Sequence, residues 1–233
     1  MFISDTHLPQ ALPAEAYKSQ EQYEREMERL FLPSWHFIGA TGDAPNDGDY
    51  FTCELLGRPL IVWNKDGEYH TFLNVCPHRF TTLRNVPSCG SMQRLHCQYH
   101  GWEFDKCGDT KRIPDAKSFR PMEKGALGLK KIRTEAVGNV IYVNLTDDGP
   151  TLEEQIGPGY ATAQRLFSRD RRLFLTYQYD VNANWKLKVE NTLESYHIAL
   201  IHPETFKNTP DERVCEPEID PHFTPFSTRA APP

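Results

Sequence analysis

Two short segments constrain this chain more than any other feature: "CPHR" at Cys76–Arg79 and "CQYHGW" at Cys97–Trp102. The first gives Cys76-x-His78 and the second Cys97-x-x-His100, one thiol and one imidazole from each. A fold that uses both has to bring two loops together, so that four metal-ligating side chains share one space. Residues 79–96 read as a loop and a returning strand, which would carry the chain from one tip to the other. Pro77 stiffens the first loop, and Gly101 lets the second pass close to a bound group or adopt a positive φ. Trp102 is large enough to shield such a group from water on one side.

The spacing bears on the metal. A structural zinc site usually pairs C-x2–4-C knuckles with H-x3–5-H. One cysteine and one histidine from each of two loops suits a two-iron cluster, with the thiolates on one iron and neutral imidazoles on the other. Two imidazoles in place of two thiolates remove negative charge and raise the reduction potential to roughly −150 to +300 mV. Zinc, and core thiols scattered among surface histidines, stand as the alternatives from the residues alone. Cys53, Cys89, Cys107 and Cys215 match no ligand position and read as ordinary thiols.

Around these loops the pattern is β. "DYFTCELL", "RPLIVWN", "YHTFLNV" and "GNVIYVNL" are rich in β-branched and aromatic residues and are separated by turn signals such as "LGRP" and "KDGE". An all-β domain of short antiparallel strands is expected from Trp35 to about Leu145. Ahead of it, Ala14 to Leu32 carries Tyr17, Tyr23, Met27, Leu30 and Phe31 among many charges and predicts an amphipathic helix bounded by Pro13 and Pro33. After Pro150 the composition turns mixed. "LFLTYQYDV" (Leu173 to Val181) predicts a strand, and Trp185 to about Ile201 a helix. The expected divisions are 1–33, 34–150 and 151–233.

With 39% hydrophobic and 25% charged residues, the 233-residue chain can bury a core. A net charge of −6 and no long Lys/Arg run argue against nucleic acid or an anionic membrane as partner. The start of the chain lacks the pattern of a secretory signal, and no apolar run reaches the length of a membrane span. Six cysteines in such a context are expected to be reduced thiols or metal ligands, and the expected compartment is the cytoplasm.

A second motif lies in "NWKLKVENTLESYHIALIH" (Asn184 to His202). Trp185, Val189, Leu193, Tyr196 and Leu200 give an apolar stripe, with Asn184 as N-cap. Glu190, Glu194 and His197 give an ionisable stripe, which is either a solvated face or half of a metal site. His197 and His202 are five residues apart, about 140° around a regular helix. Both rings face one ion only if the helix loosens at Ile198 to Ile201, by a π-bulge or an unwound last turn.

Taken together, "CPHR", "CQYHGW" and "NWK" followed by E-x2-H-x4-H resemble the catalytic (alpha) subunit of Rieske non-heme iron oxygenases, from the N-terminal helix to "HPETF". The resemblance implies an α+β chain: an all-β Rieske iron–sulfur domain, then the N-terminal part of a helix-grip (START-like) catalytic domain on which the N-terminal helix packs. It implies that Cys76 and Cys97 bind one iron of a 2Fe–2S cluster and His78 and His100 the other. His197 and His202 then bind a mononuclear Fe(II) within a 2-His-1-carboxylate arrangement. Glu194 takes the place of the acid that links a cluster histidine of a neighbouring subunit to an iron-binding histidine.

Two departures point within the family. The bridging position holds Glu where ring-hydroxylating dioxygenases usually have Asp, and the "ENTLE" spacer is one residue shorter than in the naphthalene-type enzymes. Both look more like the monooxygenase and demethylase branches, including those acting on quaternary amines. The family's third iron ligand lies downstream of Pro233, so a C-terminally truncated subunit is expected, able to bind its second iron weakly or not at all. The implied activity is O2-dependent hydroxylation or oxidative demethylation of a small organic substrate. Electrons would come from an NAD(P)H-dependent reductase or ferredoxin, and the intact protein would be a homotrimer. The rival from another class is a Rieske ferredoxin-like electron carrier.

Overall fold

The computed structural model describes residues 12–119, 127–168, 178–193, 197–202 and Glu204. They form two compact units, one of Leu32–Thr176 and one joining Met1–Phe31 to Tyr177–Pro233.

The larger unit is built on a seven-stranded sheet in the order β1-β10-β9-β4-β3-β2-β5, every neighbour antiparallel. The strands are β1 (Trp35–Ala40), β2 (Asp49–Leu55), β3 (Arg58–Lys65), β4 (Glu68–Leu73), β5 (Ser88–Ser91), β9 (Lys131–Val137) and β10 (Val140–Asn144). The remaining three, β6 (Leu95–His96), β7 (Glu103–Phe104) and β8 (Thr110–Arg112), make a small sheet of their own. Two-residue turns set the registers of the β2–β3 and β3–β4 hairpins. Leu56-Gly57 and Asp66-Gly67 both hold positive φ at each central residue, the requirement of a type I′ turn.

Strand β3 is buried from Leu60 to Asn64, which explains its unbroken apolar run. Its side chains still alternate. Ile61 and Trp63 pack with Phe72, Leu83, Leu95, Trp102 and Phe104, whereas Leu60 and Val62 belong to the smaller clusters around Ile132, Val143 and Ile141. The first of these cores also contains Cys76 and Cys97.

Beyond Pro150 the same unit continues. Helices α3 (Leu152–Ile156) and α4 (Tyr160–Leu166) lay Leu152, Ile156, Tyr160 and Ala163 against Trp35 and Val137. Thr151 and Glu154 close a capping box at the start of α3. The β unit therefore runs past residue 150, where the composition changes.

In the other unit, the helix expected from Ala14 to Leu32 is interrupted. Ser19 leaves helical geometry (φ −73°, ψ 126°) and its side chain accepts from the Gln22 amide. It ends α1 (Glu15–Lys18) and caps α2 (Gln20–Glu26), and a π-helical turn follows over Met27–Phe31. Helix α5 runs Trp185–Leu193, with the Asn184 side chain accepting from the Lys186 amide. Helix α6 is a separate turn, Ile198–Ile201. Of the expected apolar stripe, Trp185 is half-buried, Val189 on α5 and Leu200 on α6 are exposed, and Tyr196 lies outside the described residues. Glu26 accepts from both Lys186 Nζ (2.7 Å) and the Trp185 indole N–H (2.7 Å), joining α2 to α5. The strand expected at Leu173 to Val181 lies mostly outside the described residues.

Candidate metal centre

The first tip, residues 74–84, follows β4, and the second, 97–102, joins β6 to β7. The two tips are the same turn built twice. In the first, the Cys76 carbonyl accepts from the Phe80 amide (2.9 Å) and the Cys76 amide donates to Thr81 (2.8 Å). In the second, the Cys97 carbonyl accepts from Gly101 (3.0 Å) and the Cys97 amide donates to Trp102 (2.8 Å). The closing residues are equivalent, and both have left-handed backbones: Phe80 at φ +56° and Gly101 at φ +69°. Asn74 fastens the base of the first tip, its Nδ2 donating to Arg84 O (2.7 Å) while its Oδ1 accepts from the Arg84 amide (3.0 Å).

The tips sort their side chains by type. Cys76 and Cys97 are each 1% exposed, whereas His78 is half-buried and His100 exposed. Burial pushes the Cys76 thiol up to about 11, and the neighbouring Cys97 adds to the rise. Such a thiol is inert until a metal takes the place of its proton. The imidazoles of His78 and His100 meet edge to face at 4.7 Å. Burial, then the His100 and Arg79 charges, lower the pKa of His78 and favour the neutral ring that a metal needs. Its Nδ1 is buried with no hydrogen-bond partner. An orphaned ring nitrogen at this place is what a ligand atom looks like before it has a metal.

Two thiols together and two imidazoles together fit the cysteine and histidine ends of a Rieske 2Fe–2S cluster. Among the described residues no three His, Cys, Asp or Glu side chains gather around one point, as a tetrahedral zinc site would require. Around the pair, Trp102 stacks on His78 and Phe119 meets both rings edge-on at 5.4 Å. Phe119 and the exposed Phe80 are parts of this site that residue spacing did not single out. Cys53, Cys89 and Cys107 are free thiols outside it, and Cys215 lies outside the described residues.

In the other unit, His197 and His202 flank α6 with ring centroids 5.6 Å apart. The loosening expected within Ile198 to Ile201 is not there: those residues form a regular α turn. His202 is instead already off the helix (φ −122°, ψ 44°). That departure removes the 140° separation a continuous helix would impose. Two rings at this spacing fit two positions around one ion. Asn191 Nδ2 lies 3.5 Å from His197 Nδ1, a neighbour the sequence reading missed. Glu194 is outside the described residues.

The family described as Rieske [2Fe-2S] domain matches residues 34–132, and that described as ring hydroxylating alpha subunit (catalytic domain) matches 169–228. The large subunit of anthranilate 1,2-dioxygenase from Burkholderia cepacia is 29% identical over 85% of this chain and 50% of its own length. The glycine betaine monooxygenase oxygenase subunit of Pseudomonas aeruginosa is 28% identical over 84% and 46%. A crystal structure of a quaternary ammonium Rieske monooxygenase with L-carnitine superposes with a TM-score of 0.76 at 26% identity, covering 84% of this chain and 56% of that one. Naphthalene 1,2-dioxygenase with bound indole gives 0.68 at 29%, covering 82% and 44%. The chain spans about half the length of the curated relatives it matches. The chain thus carries a Rieske [2Fe-2S] domain followed by a ring-hydroxylating catalytic segment, the two parts for which it is similar to the alpha subunits of the Rieske non-heme iron oxygenases.

Proposed function

We propose that this chain supplies the cluster-binding part and two iron ligands of an oxygenase acting on a small organic substrate. The observation that carries the reading is the pairing, in one chain, of a two-tip 2Cys–2His site with two imidazoles 5.6 Å apart at the end of a helix. A pure electron carrier has no use for the second pair.

When bound, the cluster supplies single electrons and a mononuclear Fe(II) supplies the open positions at which O2 is activated beside substrate. The chain's own contribution is positional. Cys76 and Cys97 hold the dry end of the first site inside the core. His78 and His100 present the other end toward the surface, where an NAD(P)H-dependent reductase or ferredoxin can deliver electrons and where a neighbouring subunit can approach. Glu194 takes the bridging position toward an iron-binding histidine, in an assembly read as a homotrimer. The Glu at this position and the short "ENTLE" spacer (Glu190 to Glu194) support the monooxygenase and demethylase branches, quaternary amines included.

The test is metal content after anaerobic loading of the 233-residue chain with iron and sulfide. Two irons and two sulfides per chain, plus a further iron lost in His197→Ala/His202→Ala, support the whole reading. Two irons unaffected by that double substitution leave the cluster and fit an electron carrier or a subunit lacking its third iron ligand, which a longer chain carrying the downstream carboxylate separates. Zinc without sulfide removes both.

A further inference from the structure

Arg84 lies deep in the larger unit, 8% exposed, and carries a fixed positive charge. Its Nη1 donates to Leu83 O (2.7 Å) and to His96 O (3.0 Å), and its Nη2 lies 3.3 Å from Met92 Sδ. The guanidinium carbon sits 5.7 Å from the centre of the Tyr50 ring. Among the described residues no Asp or Glu pairs with it. A buried guanidinium without a carboxylate is unusual, because burial costs a charge its hydration and a counter-ion ordinarily offsets that. Here backbone carbonyls, a sulfur and an aromatic face take that part.

The place is as informative as the charge. Leu83 closes the first tip, where its amide donates to Asn74 O (3.2 Å). His96 immediately precedes the ligand Cys97. Arg84 therefore brackets the backbone of both ligand loops with one nitrogen, and Leu83 and Met92 share the core of Cys76 and Cys97.

Resting on the cluster reading, we propose that Arg84 is a positioning residue that tunes the cluster toward the reduced state. In the oxidised site, two ferric irons, two sulfides and two thiolates cancel in charge. One electron from an external one-electron donor leaves a single net negative charge, with no bond made or broken at Arg84. A fixed cation held against both loops, in surroundings that screen it poorly, favours that added charge.

The test is a dithionite titration of the loaded full chain, followed by its visible and paramagnetic spectra. In Arg84→Gln the reduced-to-oxidised ratio at a fixed potential is expected to fall tenfold or more, equivalent to about 59 mV for one electron. Arg84→Lys, which keeps the charge and loses the fork, is expected to stay within threefold. Met92→Glu places a carboxylate beside Nη2 with the bracket intact and is expected to fall as Arg84→Gln does. An Arg84→Gln chain with normal cluster spectra and a ratio within threefold overturns the proposal, as does Arg84→Lys falling equally far. Should Arg84→Gln retain no cluster, Met92→Glu decides: a lowered ratio supports the charge, an unmoved one overturns it. A wild-type chain that takes up no iron and sulfide overturns the cluster reading itself, which is a separate result from a loaded wild type whose variants do not move.

Discussion

The rings of His78 and Trp102 stack nearly parallel, 6° apart in plane with centroids 4.8 Å apart, one from each ligand tip. The indole thus fixes the orientation of a proposed cluster ligand on the opposite loop while filling the core, at 1% exposure. Trp102→Ala removes both functions. It is expected to cost the chain about 3–5 kcal/mol of stability, read by denaturant unfolding without metal. In the loaded protein the visible absorbance should bleach several-fold faster in air. Bleaching at the wild-type rate would show that Trp102 does not shield the site.

The repeated tip turn carries its own prediction. Phe80 occupies the same hydrogen-bonded position as Gly101 but with a side chain, at φ +56° and 80% exposure. The left-handed region costs a residue with a Cβ about 1–2 kcal/mol, and glycine returns about 0.4–1 kcal/mol of that through the freer unfolded chain. Phe80→Gly should therefore stabilise the metal-free protein by about 0.5–1 kcal/mol, a rise of a few degrees in Tm. Gly101→Ala should do the reverse, since its Cβ would also sit 3.3 Å from Pro114 Cγ. A lower Tm for Phe80→Gly would mean that the Phe80 ring contributes packing its exposure does not reveal.

How much of this was legible in the residues follows from what each signal depends on. The four strands that showed themselves, β2, β3, β4 and β10, are those whose apolar content is dense enough to stand out locally. Strand β9, "KIRTEAV", is hidden because only Ile132 and Val137 are buried and its solvent face is charged. The strands of the small sheet are two or three residues long, too short for any period. The two Cys–His tips stood out because the residue types and spacing proposed for cluster binding are local in sequence. Arg84 and Phe119 were not, since each acts through a contact made between segments distant in sequence.

Glycine positions separate local strain from tertiary contact. Gly67, at φ +78°, has nothing within 4 Å of where a Cβ would stand, so Gly67→Ala should cost only the left-handed penalty of about 1–2 kcal/mol. At Gly138 (φ +62°) the same Cβ would fall 1.7 Å from Phe167 O, which accepts from the Asn139 amide at 2.7 Å. Gly138→Ala has to push the end of α4 off the β9–β10 turn and should cost about 3 kcal/mol or more. Equal costs in denaturant unfolding would refute the packing of α4 on that turn.

The proposed bridge at Glu194 predicts a kinetic effect without a structural one. Glu194→Gln should leave iron and sulfide content and both sets of spectra in place while slowing single-turnover electron transfer between the centres at least tenfold. Unchanged single-turnover rates would remove Glu194 from the path and leave the ligand assignments standing.

In the smaller unit, the buried pair Glu26 and Lys186 supports a pH prediction. Hydrogen bonds from Lys186, then Gln22 and Trp185, hold the Glu26 carboxyl at about 2, below its ordinary 4.5. A depressed carboxyl stabilises the fold fully above its unfolded value, and that contribution is lost as pH falls through the folded value. The union of α2 and α5 should therefore weaken between about pH 4.5 and pH 2, by up to about 1.4 kcal/mol per pH unit for one proton. The Trp185 indole N–H, bonded to Glu26 Oε2, reports it directly: its protection from solvent exchange should fall across that window. Glu26→Gln abolishes the pH dependence and, by leaving Lys186 unpaired at 9% side-chain exposure, should cost about 3–5 kcal/mol. Replacing both partners with Met should recover most of that cost, because it removes the uncompensated charge along with the pair. If instead the double replacement is as damaging as Glu26→Gln alone, the join between the two helices depends on the Glu26–Trp185 hydrogen bond rather than on the ion pair.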